Sequence, residues 1–149
     1  MYFDELVLGM SVKTDSVVIE KEKMMAFAYE YDNIPLHTDE EYARKTHFGK
    51  LIAPGVMSFM SVWAKYQEVD FFGEALLAGR STKIEWLKPV FAGDALYGEA
   101  KITKLTRRNS KNGLVEITIE VYNDKKELVM VNRTEAVVKC KNVEEKDGI

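Results

Sequence analysis

The stretch from residue 53 to residue 67, APGVMSFMSVWAKYQ, constrains the fold more than any other part of the chain. It begins next to Pro54, and proline is a favoured residue in the first turn of a helix. Apolar side chains then occur on nearly every side of the expected helix: Val56, Met57, Phe59, Met60, Val62, Trp63, Ala64 and Tyr66. A helix that is apolar nearly all round is buried on most of its sides. In a chain of 149 residues, which suits one domain with one core, other elements must surround it.

Four segments in the second half have the alternating apolar and polar residues of half-exposed strands: residues 81–90, 94–103, 114–122 and 127–140. Short turn sequences such as NDKK connect them. Alternation with one polar face is typical of an antiparallel sheet. The pattern therefore predicts an α+β fold, in which a curved antiparallel sheet wraps around the long central apolar helix.

The first half of the chain is predicted to be mostly helical. Between residues 20 and 31, the apolar residues Met24, Phe27, Ala28 and Tyr31 follow the i, i+3, i+4, i+7 spacing of a helix. Pro35 ends this helix. A short helix is expected at residues 39–45, with Thr38 as its N-cap and Glu41 completing a capping box.

Composition and charge exclude several classes of function. The formal net charge is −3, which gives no general affinity for polyanions, so no nucleic-acid partner is expected. No apolar run approaches the roughly 20 residues of a membrane helix, and the first ten residues have no basic signal-peptide region. The single cysteine, Cys140, is expected to be a buried free thiol. These features fit a cytoplasmic protein, and the charged tail at residues 141–149 is expected to fray.

Few side chains can do acid–base chemistry near neutral pH. Histidine, with an ordinary pKa of about 6.5, is the side chain suited to it, and the chain has only His37 and His47. Asp32 precedes His37 by five positions across the turn at Pro35, so both can face one space and hold a water. Taken alone, the pair is equally a polar turn that ends a helix. His47 has no such partner and is expected at the surface or in packing.

Gly55 is a second candidate. A glycine at the start of a buried helix leaves free N–H groups at the positive end of the helix dipole. A carbonyl oxygen that becomes an enolate is stabilised by such donors. A plain helix start is the alternative interpretation of the same residues.

Together these features resemble a known family. The segment DNIPLHTDEEYARKTHFGKLIAPGVM is similar to the signature of the MaoC-like dehydratases, the (R)-specific enoyl-CoA hydratases. The matching positions are Asp32, Pro35, His37, Asp39, Tyr42, Ala43, Phe48, Gly49, Ala53, Pro54 and Gly55. The downstream segment LKPVFAGDAL also resembles the family, and the likeness extends from about residue 14 to residue 140.

The resemblance implies a single hot-dog domain over residues 1–149 and reversible addition of water to a trans-2-enoyl thioester. Asp32 and His37 would hold the water, and which of them acts as acid or base stays open. The N–H of Gly55 would bond the thioester oxygen. Neither a metal nor a cofactor is implied, because the enoyl thioester is itself electrophilic once its carbonyl is polarised. The sequence departs from the family at Ile34, where members usually have asparagine.

The resemblance also implies that the substrate is an acyl thioester of CoA or of an acyl carrier protein. The residues expected to contact it are Ile34, Pro54, Val56, Phe59 and Trp63. Phe59, Met60 and Trp63 are equally explained as core residues. A basic turn containing Arg107, Arg108 and Lys111 is either a CoA-phosphate contact or a solvated loop.

Hot-dog proteins of this kind are typically homodimers or higher oligomers, so the resemblance implies the same here. Two other functions remain open from the residues. One is an acyl-CoA thioesterase, because hot-dog folds also support that reaction. The other is a non-catalytic subunit that binds acyl thioesters, an alternative that Ile34 keeps open.

Overall fold

A computed structural model describes residues 1–141 of the chain. The helices are α1 at Lys21–Tyr31, α2 at Pro35–Thr38, α3 at Glu40–Arg44 and α4 at Gly55–Val69. The strands are β1 at Ser11–Lys13, β2 at Val17–Val18, β3 at Leu76–Trp86, β4 at Ala95–Arg107, β5 at Asn112–Tyr122 and β6 at Leu128–Lys139. None of the helices within residues 1–141 is long and apolar enough to cross a membrane.

The strands form one antiparallel sheet in the order β1-β4-β5-β6-β3, and β2 also pairs with β4. The turn between β4 and β5 places Arg107 opposite Gly113. The connection between β5 and β6 places Tyr122 opposite Leu128. β3 comes before β4 in the chain but lies at the far edge of the sheet, where only β6 pairs with it. This crossover leaves space for α4 beneath the sheet.

The sheet packs its apolar face on α4. Alternate residues of β4, β5 and β6 are buried, as their period-two pattern predicts: Leu96, Ala100, Ile102, Val115, Ile117, Ile119, Val121, Met130, Ala136 and Val138. The contact is closest at Gly98, where an added Cβ would lie 2.9 Å from Ile119 Cγ2 and 3.0 Å from Val62 Cγ1. The predicted α+β fold, with a sheet wrapped around an apolar helix, is confirmed, and this arrangement is the hot-dog fold.

Local boundaries differ from the sequence prediction in two places. Residues 39–45 do not form one helix capped by Thr38: Asp39 caps α3 by accepting a hydrogen bond from the Tyr42 N–H at 3.1 Å. Thr38 belongs to α2, and its hydroxyl donates to the carbonyl oxygen of Ile34 at 3.0 Å. Pro35 ends α1 but also begins α2, because its fixed φ suits a first helical turn.

The second difference concerns the strands. β3 begins at Leu76 and ends at Trp86, whereas the alternation suggested residues 81–90. The short strands β1 and β2 were not predicted, because two or three residues are too few to show a period. Cys140 is buried, as expected. The tail that was predicted to fray is residues 141–149. Apart from Lys141, these residues lie outside the described part of the chain.

One side of α4 stays uncovered in the single chain. The sheet and the N-terminal segments bury Met57, Phe59, Val62 and Tyr66, but Val56 and Met60 are about half exposed. The adjacent edge strand β3 is exposed along almost its whole length. The all-round apolar character of α4 is therefore only partly explained by this chain's own fold.

Candidate active site

The turn after α1 positions the two candidate acid–base residues. Asp32 caps the C-terminus of α1, and its N–H donates to the carbonyl oxygen of Ala28 at 2.9 Å. Ile34 is extended, with φ −124° and ψ 151°, as expected for a residue before proline. α2 then turns His37 back towards Asp32. The His37 Nε2 lies 3.2 Å from the Asp32 Oδ2, so the five-residue spacing brings the pair into contact.

A second contact orients the His37 ring. Its Nδ1 donates to the carbonyl oxygen of Ile52 at 2.7 Å, since a carbonyl oxygen can only accept a hydrogen bond. With the proton on Nδ1, the Nε2 of a neutral imidazole is an acceptor. The Asp32 Oδ2, 3.2 Å from Nε2, forms a hydrogen bond with it when either atom carries a proton. A proton can therefore pass directly between the two residues.

The two members of the pair differ in exposure. The His37 side chain is 7% exposed and the Asp32 side chain 46% exposed. The imidazole is thus buried in the protein, while the carboxyl group is in contact with solvent. A water molecule or substrate can reach the pair from the Asp32 side.

The N-terminus of α4 provides the hydrogen-bond donors of the site. Pro54 precedes the helix with φ −56° and ψ 129°, and Gly55 is its first residue. The N–H groups of Gly55, Val56 and Met57 have no acceptor among residues 1–141. They lie at the positive end of the dipole of a 15-residue helix. This end of α4 can stabilise negative charge on an oxygen.

One cavity of about 450 Å³ joins these features. Its wall includes both acid–base residues, the start of α4 and the segment that follows β3: Asp32, His37, Phe48, Ile52, Ala53, Gly55, Val56, Ser58, Trp86, Leu87, Lys88, Pro89 and Val90. Most of the wall is apolar, and its polar side chains are those of Asp32, His37, Ser58 and Lys88, with the indole N–H of Trp86. This is the usual composition of a small-molecule site.

Trp86 packs directly on the first residue of α4. A Cβ added to Gly55 would lie 2.3 Å from Cε2 and 2.5 Å from Nε1 of the indole. Glycine is therefore needed at position 55 to admit the ring, in addition to any role of its N–H. Trp86 was not among the predicted site residues. The alternation of apolar and polar residues placed it on one face of a strand, and the sequence does not indicate which element packs against that face.

The structure brings four of the eight predicted site residues together. Asp32, His37, Gly55 and Val56 line the cavity. Pro54 is buried immediately before Gly55 and does not line the cavity, and Ile34 is 44% exposed outside it. Phe59 is a buried core residue. The predicted roles of Ile34, Pro54 and Phe59 in substrate contact stay predictions.

Trp63 lies farther along α4, beside a second cavity of about 150 Å³. Its ring contacts those of Phe59 and Tyr66, with centroids 5.7 and 5.1 Å away. Burial raises the pKa of the Tyr66 hydroxyl to about 12, so it stays protonated at neutral pH. Tyr66 therefore does not act as a base in this second cavity. A contact between Trp63 and the acyl chain stays a prediction.

The other candidate residues lie away from the cavity or make other contacts. His47 is exposed and its ring lies 4.0 Å from that of Phe48. Arg107 is paired with Asp4 at 3.0 Å. Lys88, on the cavity wall, donates to Glu127 at 2.7 Å and thereby lowers the pKa of that carboxyl group. Among residues 1–141, no group of three or more His, Cys, Asp and Glu side chains is arranged to hold a metal ion.

Comparison with known proteins identifies relatives of the whole domain. The family model of the MaoC-like domain matches residues 5–125. A structure described as the monoamine oxidase regulatory protein of Archaeoglobus fulgidus is 29% identical, with a TM-score of 0.89 and 95% of each chain covered.

Two further similar structures are of named enzymes. The (R)-hydratase of A. caviae, involved in PHA biosynthesis, is 26% identical with a TM-score of 0.71, covering 91% of this chain and 98% of that one. The HadBC (3R-hydroxyacyl-ACP dehydratase) complex of Mycobacterium tuberculosis includes a chain that is 27% identical. Its TM-score is 0.74, and the match covers 89% of this chain and 97% of that one.

Proposed function

Because the chain belongs to the MaoC-like domain family, we propose that it adds water reversibly to trans-2-enoyl thioesters and forms (R)-3-hydroxyacyl thioesters. The observation that carries the proposal is the single cavity shared by the Asp32–His37 pair and the free N–H groups of α4. The reaction needs a group that exchanges protons with water and a group that stabilises an enolate oxygen, and this cavity has both. The similar structures of an (R)-hydratase and a 3R-hydroxyacyl-ACP dehydratase support this choice of reaction.

The Asp32–His37 pair exchanges the protons of the reaction. The oxygen of a water molecule bonds to C3 of the enoyl group while the pair accepts one water proton. The pair gives one proton to C2, where the electrons of the double bond are placed. The pair therefore ends the reaction with as many protons as it had at the start, and its direct contact allows the proton to pass between the two residues. General acid–base catalysis of this kind contributes about 10²–10⁴-fold in rate.

The N-terminus of α4 stabilises the charge that develops on the thioester. As water attacks C3, electron density moves through C2 to the carbonyl oxygen. The N–H of Gly55 lines the cavity and is free to donate to that oxygen. Removal of one such donor typically costs about 10²–10³-fold in rate. The apolar wall excludes water from the rest of the acyl group.

We also propose that the working protein is a homodimer. Val56 and Met60 on α4 are 47% and 48% exposed, and Leu76, Leu77, Trp86 and Leu87 at the β3 edge are 41–52% exposed. The unpaired side of β3 has free backbone donors and acceptors, as an edge strand does. A second copy placed on this edge would cover the apolar residues and satisfy the backbone groups.

The decisive experiment is an enoyl-thioester hydration assay with purified protein. Crotonyl-CoA and longer homologues are supplied, and the loss of the enoyl chromophore is followed. Wild-type protein is expected to consume at least one of them, and Asp32→Asn and His37→Ala each to lower kcat at least a hundredfold. Asp124→Asn and His47→Ala are matched controls for the two changes, since both residues are exposed and lie outside the cavity.

Two other results would replace the proposal. Release of free thiol from saturated acyl-CoA would indicate a thioesterase. Tight calorimetric binding of acyl-CoA without turnover across the chain lengths, in wild type and variants alike, would indicate a non-catalytic binding subunit. A hydration rate that is the same in wild type, Asp32→Asn and His37→Ala would remove the assigned pair from the reaction.

A further inference from the structure

The indole N–H of Trp86 has no known task in the fold. Trp86 is the last residue of β3, and it pairs with Met130 of β6. The next residue, Leu87, donates its N–H to the carbonyl oxygen of Val129 at 2.8 Å. The backbone on both sides of the indole is thus held by the sheet, which places the ring at a defined position over α4.

The Nε1 of Trp86 makes no hydrogen bond with any of residues 1–141, although the indole nitrogen can only donate. The side chain is half exposed, at 50%, and it lines the cavity that contains Asp32 and His37. The indole N–H is therefore available to donate to a ligand in this cavity. Packing on Gly55 involves the ring of Trp86 but not a hydrogen bond from its nitrogen. It therefore gives the indole N–H no role.

The free indole N–H lies next to the free N–H of Gly55. The Cβ position of Gly55 is 2.5 Å from Nε1, so the Gly55 Cα is at most one bond length farther from it. The Gly55 nitrogen is bonded to the same Cα, so it lies within about 5.5 Å of Nε1. Two unsatisfied donors therefore border the same end of the cavity.

We propose that Trp86 binds the substrate and that its Nε1–H donates a second hydrogen bond to the oxygen that Gly55 N–H binds. A carbonyl or enolate oxygen has two lone pairs and can accept both bonds. One donor is backbone at a helix N-terminus, and the other is a side chain held by the sheet. The inference rests on the proposed enoyl-thioester substrate, because it assigns Trp86 to the thioester oxygen.

The first test removes the N–H and keeps the ring. Trp86→Phe is expected to lower kcat on the enoyl-CoA at least tenfold, because a donor to a developing oxyanion is stronger in the transition state. The KM should change less than kcat. Tyr97→Phe is the matched control: it also removes a polar group from an aromatic ring, but it lies on the outer face of the sheet against Tyr122. Its kcat should equal that of wild type.

The second test observes the N–H directly in the wild-type protein and does not depend on turnover. The chain has two tryptophans, so a ¹⁵N-labelled sample shows two indole N–H signals, and the one missing in Trp86→Phe belongs to Trp86. Butyryl-CoA, which has no double bond to hydrate, is the probe. On saturation, the Trp86 proton signal is expected to move downfield as its hydrogen bond forms. A thiol assay checks that the probe stays intact.

The outcomes separate this inference from the proposed function. If enoyl-CoA is hydrated but Trp86→Phe has wild-type kcat, or if the Trp86 signal stays in place at saturation, the inference is wrong and the function stands. If the Trp86 signal moves with butyryl-CoA while no enoyl-CoA is hydrated, the thioester contact stands and the hydratase function is wrong. If Trp86→Phe misfolds, the titration of the wild-type protein still decides the question. The Trp86 signal is then assigned as the one that remains in Trp63→Phe.

Discussion

The His37 Nδ1 lies 2.7 Å from the carbonyl oxygen of Ile52, and this contact joins the two halves of the candidate site. His37 is on the turn after α1, whereas Ile52 is three residues before Gly55, the first residue of α4. The Ile52 N–H in turn lies 3.4 Å from the carbonyl oxygen of Leu36. The acid–base pair and the helix N-terminus are thus held at a fixed separation by hydrogen bonds rather than by the course of the chain.

The contact between Gly55 and Trp86 predicts a cost for Gly55→Ala. The new methyl group would lie 2.3 Å from the indole Cε2, so the ring must move. We expect kcat/KM on enoyl-CoA to fall at least about tenfold, in the range of a lost oxyanion donor. In a Trp86→Ala background the clash is absent, so Gly55→Ala should have a much smaller additional effect. Equal effects in both backgrounds would contradict this explanation.

The exposed apolar face predicts that a charge on α4 prevents dimer formation. Met60 on α4 is 48% exposed, and Met60→Glu would place a carboxylate without a partner in the proposed interface. Light scattering on a size-exclusion column should show a dimer for wild type and a monomer for the variant. Leu8→Glu, at another exposed apolar residue (59%), is the control and should remain dimeric. A dimer that persists in Met60→Glu would show that this face is not the interface.

Asn132 predicts a stability cost inside the sheet. It is fully buried, and its Nδ2 donates to Thr82 Oγ1 at 2.7 Å and to the Lys83 carbonyl oxygen at 3.1 Å. Its Oδ1 accepts from Thr134 Oγ1 at 2.8 Å. Asn132→Ala leaves buried polar groups without partners, which should lower the free energy of unfolding by about 1–3 kcal/mol. Urea unfolding measures this, with the change Thr106→Val, at an exposed residue of β4, expected to cost less than about 0.5 kcal/mol.

Asp4 predicts a pH-dependent contribution to stability. The Lys141 N–H and the Arg107 guanidinium donate to its carboxylate and lower its pKa below the ordinary 3.8. A lowered pKa stabilises the folded state above the ordinary value, and this contribution is lost as the pH falls through the folded-state pKa. Asp4→Asn should therefore reduce the free energy of unfolding at pH 7, by less than about 1 kcal/mol for a pair this exposed. At pH 2 the two proteins should have nearly equal stability.

Asp124→Asn is the control for the Asp4 experiment, since the Asp124 side chain makes no hydrogen bond or ion pair with any of residues 1–141. Its difference from wild type should be the same at every pH. Thermal unfolding between pH 2 and pH 7 gives all three curves. If the difference between Asp4→Asn and wild type did not shrink towards low pH, the ion pair would have no role in stability.

Much of the fold follows from local patterns. The helix α4 was predictable from Pro54 and from apolar side chains on nearly every side, and the strands β4, β5 and β6 from the period of two that burial on one face produces. It was also predictable that Asp32 and His37 face one space, since Pro35 limits the turn between them to few conformations; their direct contact at 3.2 Å was not predicted. The strands β1 and β2 were not predictable, because two or three residues are too few to show an alternating pattern. These strands form by pairing with β4.

By itself, the sequence determined the long helices α1 and α4, the strands β4, β5 and β6, the turn at Pro35 and the glycine at the start of α4, because these depend on neighbours within a few positions. Only the tertiary structure decided what meets at the cavity. The crossover that takes β3 to the edge of the sheet brings Trp86 onto Gly55, 31 positions earlier in the chain. The Ile52 carbonyl was unpredictable as the partner of His37 for a similar reason: every residue has such a carbonyl, and only packing selects one.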